Sequence, residues 1–389
     1  MKHIILEAND IDVIAFDLAD LAARLNKLTD TRDKRGKIYP LGMLLTMIIL
    51  AKLAGEDKPS GIAEWIRLRC DAFVIIFNCK HQRMPCLNII RGVLQEVISI
   101  EELEKLLGDY LYETYGGQQS RLVTMDGKTM RGTIPKGCTQ GTHLMAAYLP
   151  DEGIVLKQVV VESKENEISA APQLVEALDL KQKVICGDAM HTQRQLSVEI
   201  LAKGGDYLWF LKENQATVLA DVQRFFEPPQ RCAGYALPEL PRSVAEFTNK
   251  GHGRLEKRQL TLMVDEQQFL DWPGVRQVFR LERRVKQVRT GMETIEVVYG
   301  ITSCNPQVGT AEQMLKWTRA YWGIENGLHY RRDVTLHEDA TRISKPNSNL
   351  ARAIAAINNF IVALAQKLRY ANLASARRIF NARIAAQLF

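Results

Sequence analysis

Three acidic residues stand in settings where a carboxylate could do chemistry. Asp126 closes the apolar run RLVTMD and leads into GKTMRG, Asp188 closes KVICGD and leads into AMHTQ, and Glu325 lies within RAYWGIENGLHYRR. An Asp-Gly pair after an apolar run is first of all a turn signal, so Asp126 alone reads as a strand end. A second carboxylate beside it changes that reading, because like charges held close repel unless a cation lies between them. Metal-assisted phosphodiester chemistry with two ions ~3.5 to 4 Å apart needs further oxygen ligands, so a third acid is expected. Glu325 is the best candidate: Tyr321, Trp322, Ile324 and Leu328 would fix its helix against a core, His329 shares its face at i+4, and Arg332 follows two turns on. Asp333, Glu338 and Asp339 are rival third ligands.

The elements that would position these acids follow from periodicity. From about 12 to 113, LGMLLTMIILAKLAG, SGIAEWIRLRC and SIEELEKLLGDYLYETY repeat apolar residues at helical spacing, with Ser99 and Glu102 suited to a capping box. Gly116 and Gly117 mark a boundary, after which RLVTMD, HLMAAYLP and IVLKQVVVE read as three short strands of an antiparallel meander. A helix over NEISAAPQLVEALDL, a strand KVICGD, a helix TQRQLSVEILAKGG and a strand DYLWFLK complete a βββαβαβ order. That order is the ribonuclease H-like arrangement, a mixed α/β sheet whose first strand lies beside its fourth. It would bring Asp126 and Asp188, 62 positions apart, into one neighbourhood. Residues 229 to 304, with EPPQ and LPELPRS followed by RLEKRQLTLMV, RQVFRLERRVK and ETIEVVYGITS, read as an inserted, mainly β subdomain, and a helical pattern returns from 305 to 389.

The chain has 389 residues, 46% of them hydrophobic and 25% charged, which suits a globular protein of two or three domains. Its longest apolar stretch, LGMLLTMIIL, is shorter than the ~18 residues that suggest a membrane span. The N-terminus meets Glu7 and Asp10 and lacks a small-residue cleavage site, so a cytoplasmic location is expected. Seven scattered cysteines without a CxxC pair indicate neither a disulfide framework nor a zinc site.

The formal net charge of +6 is unevenly spread: residues 341 to 389 hold eight Lys or Arg and no acid, whereas residues 1 to 120 hold 15 basic and 17 acidic side chains. Such concentration suits a polyanion-binding surface. In the tail, Arg342, Lys345, Arg352, Lys367, Arg369, Arg377, Arg378 and Arg383 are expected to project from the face opposite Ile354, Ile357, Ile361, Leu364 and Leu368. His252 and Arg254 in GHGR fit a DNA-contacting turn or a hairpin turn with solvated charges, and Lys212, Asn214 and Gln215 could meet phosphate or bases. Trp209 reads as core, and His191 as a hydrogen-bonding group behind the acids rather than a ligand.

The motifs, in order, resemble the H-repeat-associated group of insertion-sequence transposases, within the DDE superfamily of ribonuclease H-like transposases. The resemblance runs nearly end to end and rests on DKRGKIYPLGMLLTMIILAKLAG, GIAEW, MDGKTMRG, SKENEISAAPQLVEALDL, GDAMHTQ, GGDYLWFLKENQ, KGHGRLEKRQ, WPG, LERR, WGIENGLHYRRDV and HEDATR. It implies that Asp126, Asp188 and Glu325 are the three catalytic acids, and that the 137 positions separating the last two contain the family's β insertion. It also implies a DNA transposase that binds element ends, cuts phosphodiester bonds with activated water and joins the 3′-hydroxyl to target DNA. Two Mg²⁺ ions are the implied cofactors, with Mn²⁺ able to substitute, and double-stranded DNA and a second copy of the chain the implied partners. Residues 1–117 would form a helical DNA-binding or assembly domain, 118–228 and 305–389 the two parts of the catalytic core. Lys128, Arg131, Lys212, Arg254, Arg258, Arg319, His329, Arg332, Arg377 and Arg378 are the expected DNA contacts. Two departures stand out: Tyr321 occupies the Arg place of the family's Tyr, Arg, Glu, Lys signature, with Arg319 two residues earlier and Arg332 at the Lys place, and Cys86 follows Pro85 where a Ser is usual. A nuclease of the same fold without strand transfer, or a retired transposase that only binds DNA, are the competing readings.

Overall fold

The computed structural model describes residues 4–6, 14–16, 18–79, 81–115, 120–161, 167–227, 241–251, 253–343, 348–368, 370 and 372–388, with side chains from 19 to 382 apart from Gly36. The chain forms two compact units that alternate along the sequence. One comprises Met1–Gln119, Gly127–Asn166 and Glu325–Phe389, the other Ser120–Asp126 and Glu167–Ile324.

Eleven strands occur among the described residues: β1 (Ile4–Leu6), β2 (Ile14–Phe16), β3 (Leu122–Met130), β4 (Thr142–Leu149), β5 (Ile154–Val161), β6 (Val184–Gly187), β7 (Asp206–Leu211), β8 (Ser243–Gly251), β9 (Arg254–Val264), β10 (Gln277–Gln287) and β11 (Glu293–Thr302). β1 and β2 pair with each other, and the other nine form one mixed sheet in the order β5-β4-β3-β6-β7-β11-β10-β9-β8. The first five reproduce the ribonuclease H-like order read from the sequence, with β3 running parallel to β6 and β6 parallel to β7. β6 is buried along its whole length, as a strand covered on both faces must be.

β3 does not end at Asp126. It continues through Gly127 to Met130, so the Asp-Gly pair lies inside a strand and makes no turn there. The helical region expected from about 12 contains β2 at its start and becomes helical at Leu18. Gly116 and Gly117, and the Pro-rich linkage over 228–240, lie outside the described residues.

In the first unit the helix Leu41–Leu53 is buried along its whole length, in keeping with a sequence apolar on every face. The helices Ile100–Tyr115 and Asn349–Lys367 pack on each other, with the rings of Tyr110 and Phe360 5.9 Å apart. A chain of buried polar groups crosses this core: Gln158 donates to Glu104, Asn359 donates to Gln158, and Arg332 donates to Asn359 and to both oxygens of Glu338.

In the second unit the strands of the insertion extend the sheet beyond β7, because β11 pairs antiparallel to it with Tyr299 opposite Leu211 and Thr302 opposite Leu208. Leu122, Val184, Leu208, Leu260, Phe279, Met314 and Trp317 share one core, so the far strands and the helix Ala311–Tyr321 pack continuously with the central ones. Two elements absent from the reading of the sequence appear here: β8 and the helix Ala216–Phe226.

Candidate functional site

In the second unit the acids Asp126 and Asp188 emerge from adjacent parallel strands. The last paired couple of β3 and β6 is Thr124 and Cys186, and each acid lies two residues further on. Asp126 is half-buried within β3. Asp188 leaves the end of β6 and caps a single 3₁₀ turn, Ala189–His191, by accepting the Met190 amide at 2.9 Å through Oδ1, while its side chain stays 43% exposed. The preceding Gly187 makes room for the next ring: a Cβ there would lie 3.0 Å from His191 Cδ2. His191 is buried, with Nε2 3.6 Å from Glu167 and 3.9 Å from Asp188 Oδ1. It therefore stands behind Asp188.

The segment after β7 serves the same turn. The Asn214 side-chain amide donates to the Ala189 carbonyl at 2.7 Å, and that of Gln215 to the Thr192 carbonyl at 2.9 Å. These two residues, expected at phosphate or bases, face the protein's own backbone instead; Lys212 remains exposed. Trp209 is core, as its sequence context indicated, and donates to Ser197 at 2.9 Å.

In the first unit Glu325 lies in a π-helical turn, Ile324–His329, rather than the regular α-helix expected. Such turns are rare and recur at functional sites. Its side chain is 60% exposed and accepts from His329 Nδ1 at 3.3 Å, while His329 itself is buried. The His329 hydrogen bond holds the Glu325 carboxyl below the ordinary carboxylate range, against the opposing effect of partial burial. Gly327 lies close to the Tyr148 hydroxyl, which a Cβ would approach to 3.0 Å.

The rival acids already have cationic partners in this unit. Lys128 Nζ lies 2.5 Å from Asp333 and 3.5 Å from Asp339, and the Arg131 amide donates to Asp339 at 2.9 Å. Glu338 is fully buried and bound by Arg332 at 2.7 and 2.9 Å and by Asn358 at 2.8 Å. Burial alone would raise its carboxyl, but Arg332 outweighs this and holds it below the ordinary range. Asp126, Glu325 and His329 are candidate metal donors, and the acids among them, with Asp188, are oxygen ligands of the type that hard divalent cations prefer.

Several of the residues expected to contact DNA are engaged by the protein itself. Arg332 is buried on Glu338, and Lys128 is buried against Asp333. Arg377 is buried too, donating to Asp57 at 2.7 Å and to the carbonyls of Lys52 and Thr335 at 3.2 and 2.5 Å. His329 is buried against Glu325, Arg258 is held by Glu256 at 2.6 Å, and the Arg319 guanidinium lies 3.3 Å from the Phe247 ring centroid. Tyr321 packs against Phe210 with ring centroids 5.4 Å apart, so the residue at the Arg place is part of the core. Arg131, Lys212, Arg254 and Arg378 are exposed.

The tail's lack of acids is made up from elsewhere: Arg352 pairs with Glu101 at 2.6 Å, Lys367 with Glu152, and Arg377 with Asp57. Arg342 is exposed, while Lys345, Arg369, His252 and the side chain of Arg383 lie outside the described residues.

The order β5-β4-β3-β6-β7 is that of a ribonuclease H-like sheet. A family profile described as "Transposase DDE domain" matches residues 117–359, and one described as "DDE_Tnp_1-associated" matches residues 22–111. The chain belongs to the DDE transposase family. It is 30% identical over 81% of its length to the "Putative transposase YncI" of Escherichia coli O157:H7, covering 80% of that protein. It is 26% identical over 85% of its length to the "H repeat-associated putative transposase YhhI" of Escherichia coli K12, covering 87% of it. Among solved structures, one titled "Cryo-EM structure of piggyBac transposase synaptic complex with hairpin DNA (SNHP)" is similar with a TM-score of 0.42 and 11% identity, over 95% of this chain and 78% of that one. Among the described residues no helix is long and apolar enough to cross a membrane.

Proposed function

We propose that the protein binds the ends of an insertion element, cuts their phosphodiester bonds and joins the freed 3′-hydroxyl to target DNA. The observation that carries this reading is the matched placement of Asp126 and Asp188 just beyond Thr124 and Cys186 on parallel neighbouring strands. Two half-exposed carboxylates so placed repel one another, which favours a shared cation. Asp126, Asp188 and Glu325 would hold two Mg²⁺ ions, which Mn²⁺ could replace; bound there, the ions supply Lewis acidity for phosphodiester cleavage. Asp188 is kept in one orientation by the Met190 amide, and the His329 hydrogen bond favours the ionised form of Glu325. Exposed Arg131, Lys212, Arg254 and Arg378 would bind backbone phosphates, which orients the duplex without reading its sequence.

In this reading the residues before 118 serve DNA binding or assembly, the strands over 229–304 contact DNA, and two copies of the chain act on paired ends in the cytoplasm. The test is to incubate the full chain with Mg²⁺ and the DNA flanking its own gene, then map cut ends and joined products. Cuts at element ends with strand-transfer products are expected. Cuts without joining would reduce the activity to that of a nuclease, and binding without cuts would overturn the catalytic reading.

A further inference from the structure

We propose that Asn214 and Gln215 are positioning residues for Asp188: their side-chain amides hold the Ala189–Gln193 turn and so fix the direction of its carboxylate. This rests on the reading of Asp188 as a metal-binding acid. Asp188 is tied to the turn through the Met190 amide, so the carboxylate turns with the backbone of Ala189 and Met190. A single 3₁₀ turn is short: its own backbone bonds run from the His191 amide to the Asp188 carbonyl at 3.0 Å and from the Thr192 amide to the Ala189 carbonyl at 3.2 Å, so further bonds from outside add to its rigidity. Three bonds tie it to the neighbouring strand and the segment that follows it. Asn214 Nδ2 donates to the Ala189 carbonyl at 2.7 Å, Gln215 Nε2 donates to the Thr192 carbonyl at 2.9 Å, and Thr192 Oγ1 donates to the Phe210 carbonyl at 2.8 Å.

The parallel pairing of β6 with β7, with Gly187 opposite Trp209, is what brings the two segments together. Residue type matters here. Carbonyl acceptors need a donor, and a neutral amide supplies one without placing a positive charge that would compete with a cation for Asp188. Lys212, in the same segment, points to solvent. The conjunction of KENQ with GDAMHTQ thus has a local mechanical basis: one motif carries the acid, the other holds its loop. Asn214 is exposed and Gln215 only half-buried, so substitutions there need not disturb the core.

The test uses the full chain with Asn214→Asp and Gln215→Glu, singly and together. These keep the side-chain volume and replace the N–H donors by oxygens that the carbonyls repel. Four quantities are read: hydrogen exchange of the amides over residues 188–193, Mn²⁺ affinity by calorimetry, affinity for element-end DNA by fluorescence anisotropy, and melting temperature. Because added acids could themselves alter Mn²⁺ or DNA affinity, Asn214→Ala with Gln215→Ala is run alongside as the charge-neutral reference. In that reference exchange over the turn should rise about tenfold and Mn²⁺ affinity fall about 10- to 100-fold, with DNA affinity and melting temperature unchanged. The acidic isosteres should loosen the turn at least as much. Lost DNA affinity in the alanine variant, with exchange and Mn²⁺ binding as in the parent, would overturn the proposal and make the pair a direct DNA contact. Parental values throughout would overturn it as well. If the parent and Asp188→Asn bind Mn²⁺ equally, the metal reading of Asp188 fails, while the exchange measurement still decides whether the amides hold the turn.

Discussion

Asp126, inside β3, and Asp188, just past the end of the parallel neighbour β6, each lie two residues beyond the paired couple Thr124 and Cys186. Adjacent strands lie about 4.8 Å apart, so carboxylates at matched positions feel each other strongly. A divalent cation bound by both acids would offset the repulsion between them.

Replacing Asp126 or Asp188 by Asn, or Glu325 by Gln, should reduce DNA cleavage more than about 100-fold while leaving DNA affinity in the absence of metal nearly intact. Asp126→Asn and Asp188→Asn should also keep or raise the melting temperature without metal, because the repulsion is removed. Gel assays of cleavage and melting curves with and without Mg²⁺ read both effects. An Asp188→Asn protein cutting at the parental rate would remove Asp188 from the chemistry.

The exposed basic residues, and not the buried ones, should set the salt dependence of DNA binding. Arg131→Ala, Arg254→Ala and Arg378→Ala should each weaken binding to element ends and unrelated DNA alike, and reduce the slope of log affinity against log salt by roughly 0.9 for each phosphate no longer neutralised. Salt titrations by anisotropy give the slope directly. An unchanged slope would release that residue from the interface.

Much of this was legible because it is local. The runs RLVTMD and KVICGD carry apolar residues at strand spacing, and the βββαβαβ order then places one strand beside the other without further information. Burial of charge was not legible, since it depends on partners far along the chain. Arg377 looks free in a tail without acids, yet its partner Asp57 is 320 positions away, and Arg352 finds Glu101 across 251. The joining of β11 to β7 is equally non-local: alternation indicates that a strand exists, not which edge receives it. β8, SVAEFTNKG, is largely exposed and alternates poorly, so periodicity offered little to find. The side-chain bonds from Asn214 and Gln215 left no mark on periodicity, though the KENQ segment itself was visible.

Acid should weaken the far strands through Glu256. Burial would raise its carboxyl, but hydrogen bonds from Arg283 and Arg258 outweigh this and hold it down at about 2. Its folded value lies below the unfolded value of about 4.3, so the stabilisation is present above that pH and is lost as pH falls toward 2. Allowing for solvent screening, the contribution at neutral pH is on the order of 2 kcal/mol. Glu256→Gln should lower stability at pH 7 and flatten its decline between about pH 4.3 and 2. Urea denaturation across that range measures the difference; parallel curves for parent and variant would show that the arginines contribute no net stabilisation through Glu256.

The buried arginines should serve stability and not DNA binding. Arg332 and Glu338 form a fully buried pair with two contacts of 2.7 and 2.9 Å, and Asn358 donates a third bond to the same carboxylate. Removing one partner strands a charge in the core, so Arg332→Met should cost about 3–5 kcal/mol. Removing both with Arg332→Met and Glu338→Leu should recover a good part of that, because no lone charge remains and apolar side chains of similar size fill the space. Arg377→Met should behave like Arg332→Met, since it leaves Asp57 without its nearest cation while Lys52 Nζ is 3.9 Å away. In all three variants the salt slope of DNA binding should match the parent under conditions where the variant is folded. Denaturant midpoints and salt titrations on the same preparations make the comparison. A parental midpoint with a reduced slope for Arg332→Met would mean that the side chain leaves Glu338 to meet phosphate.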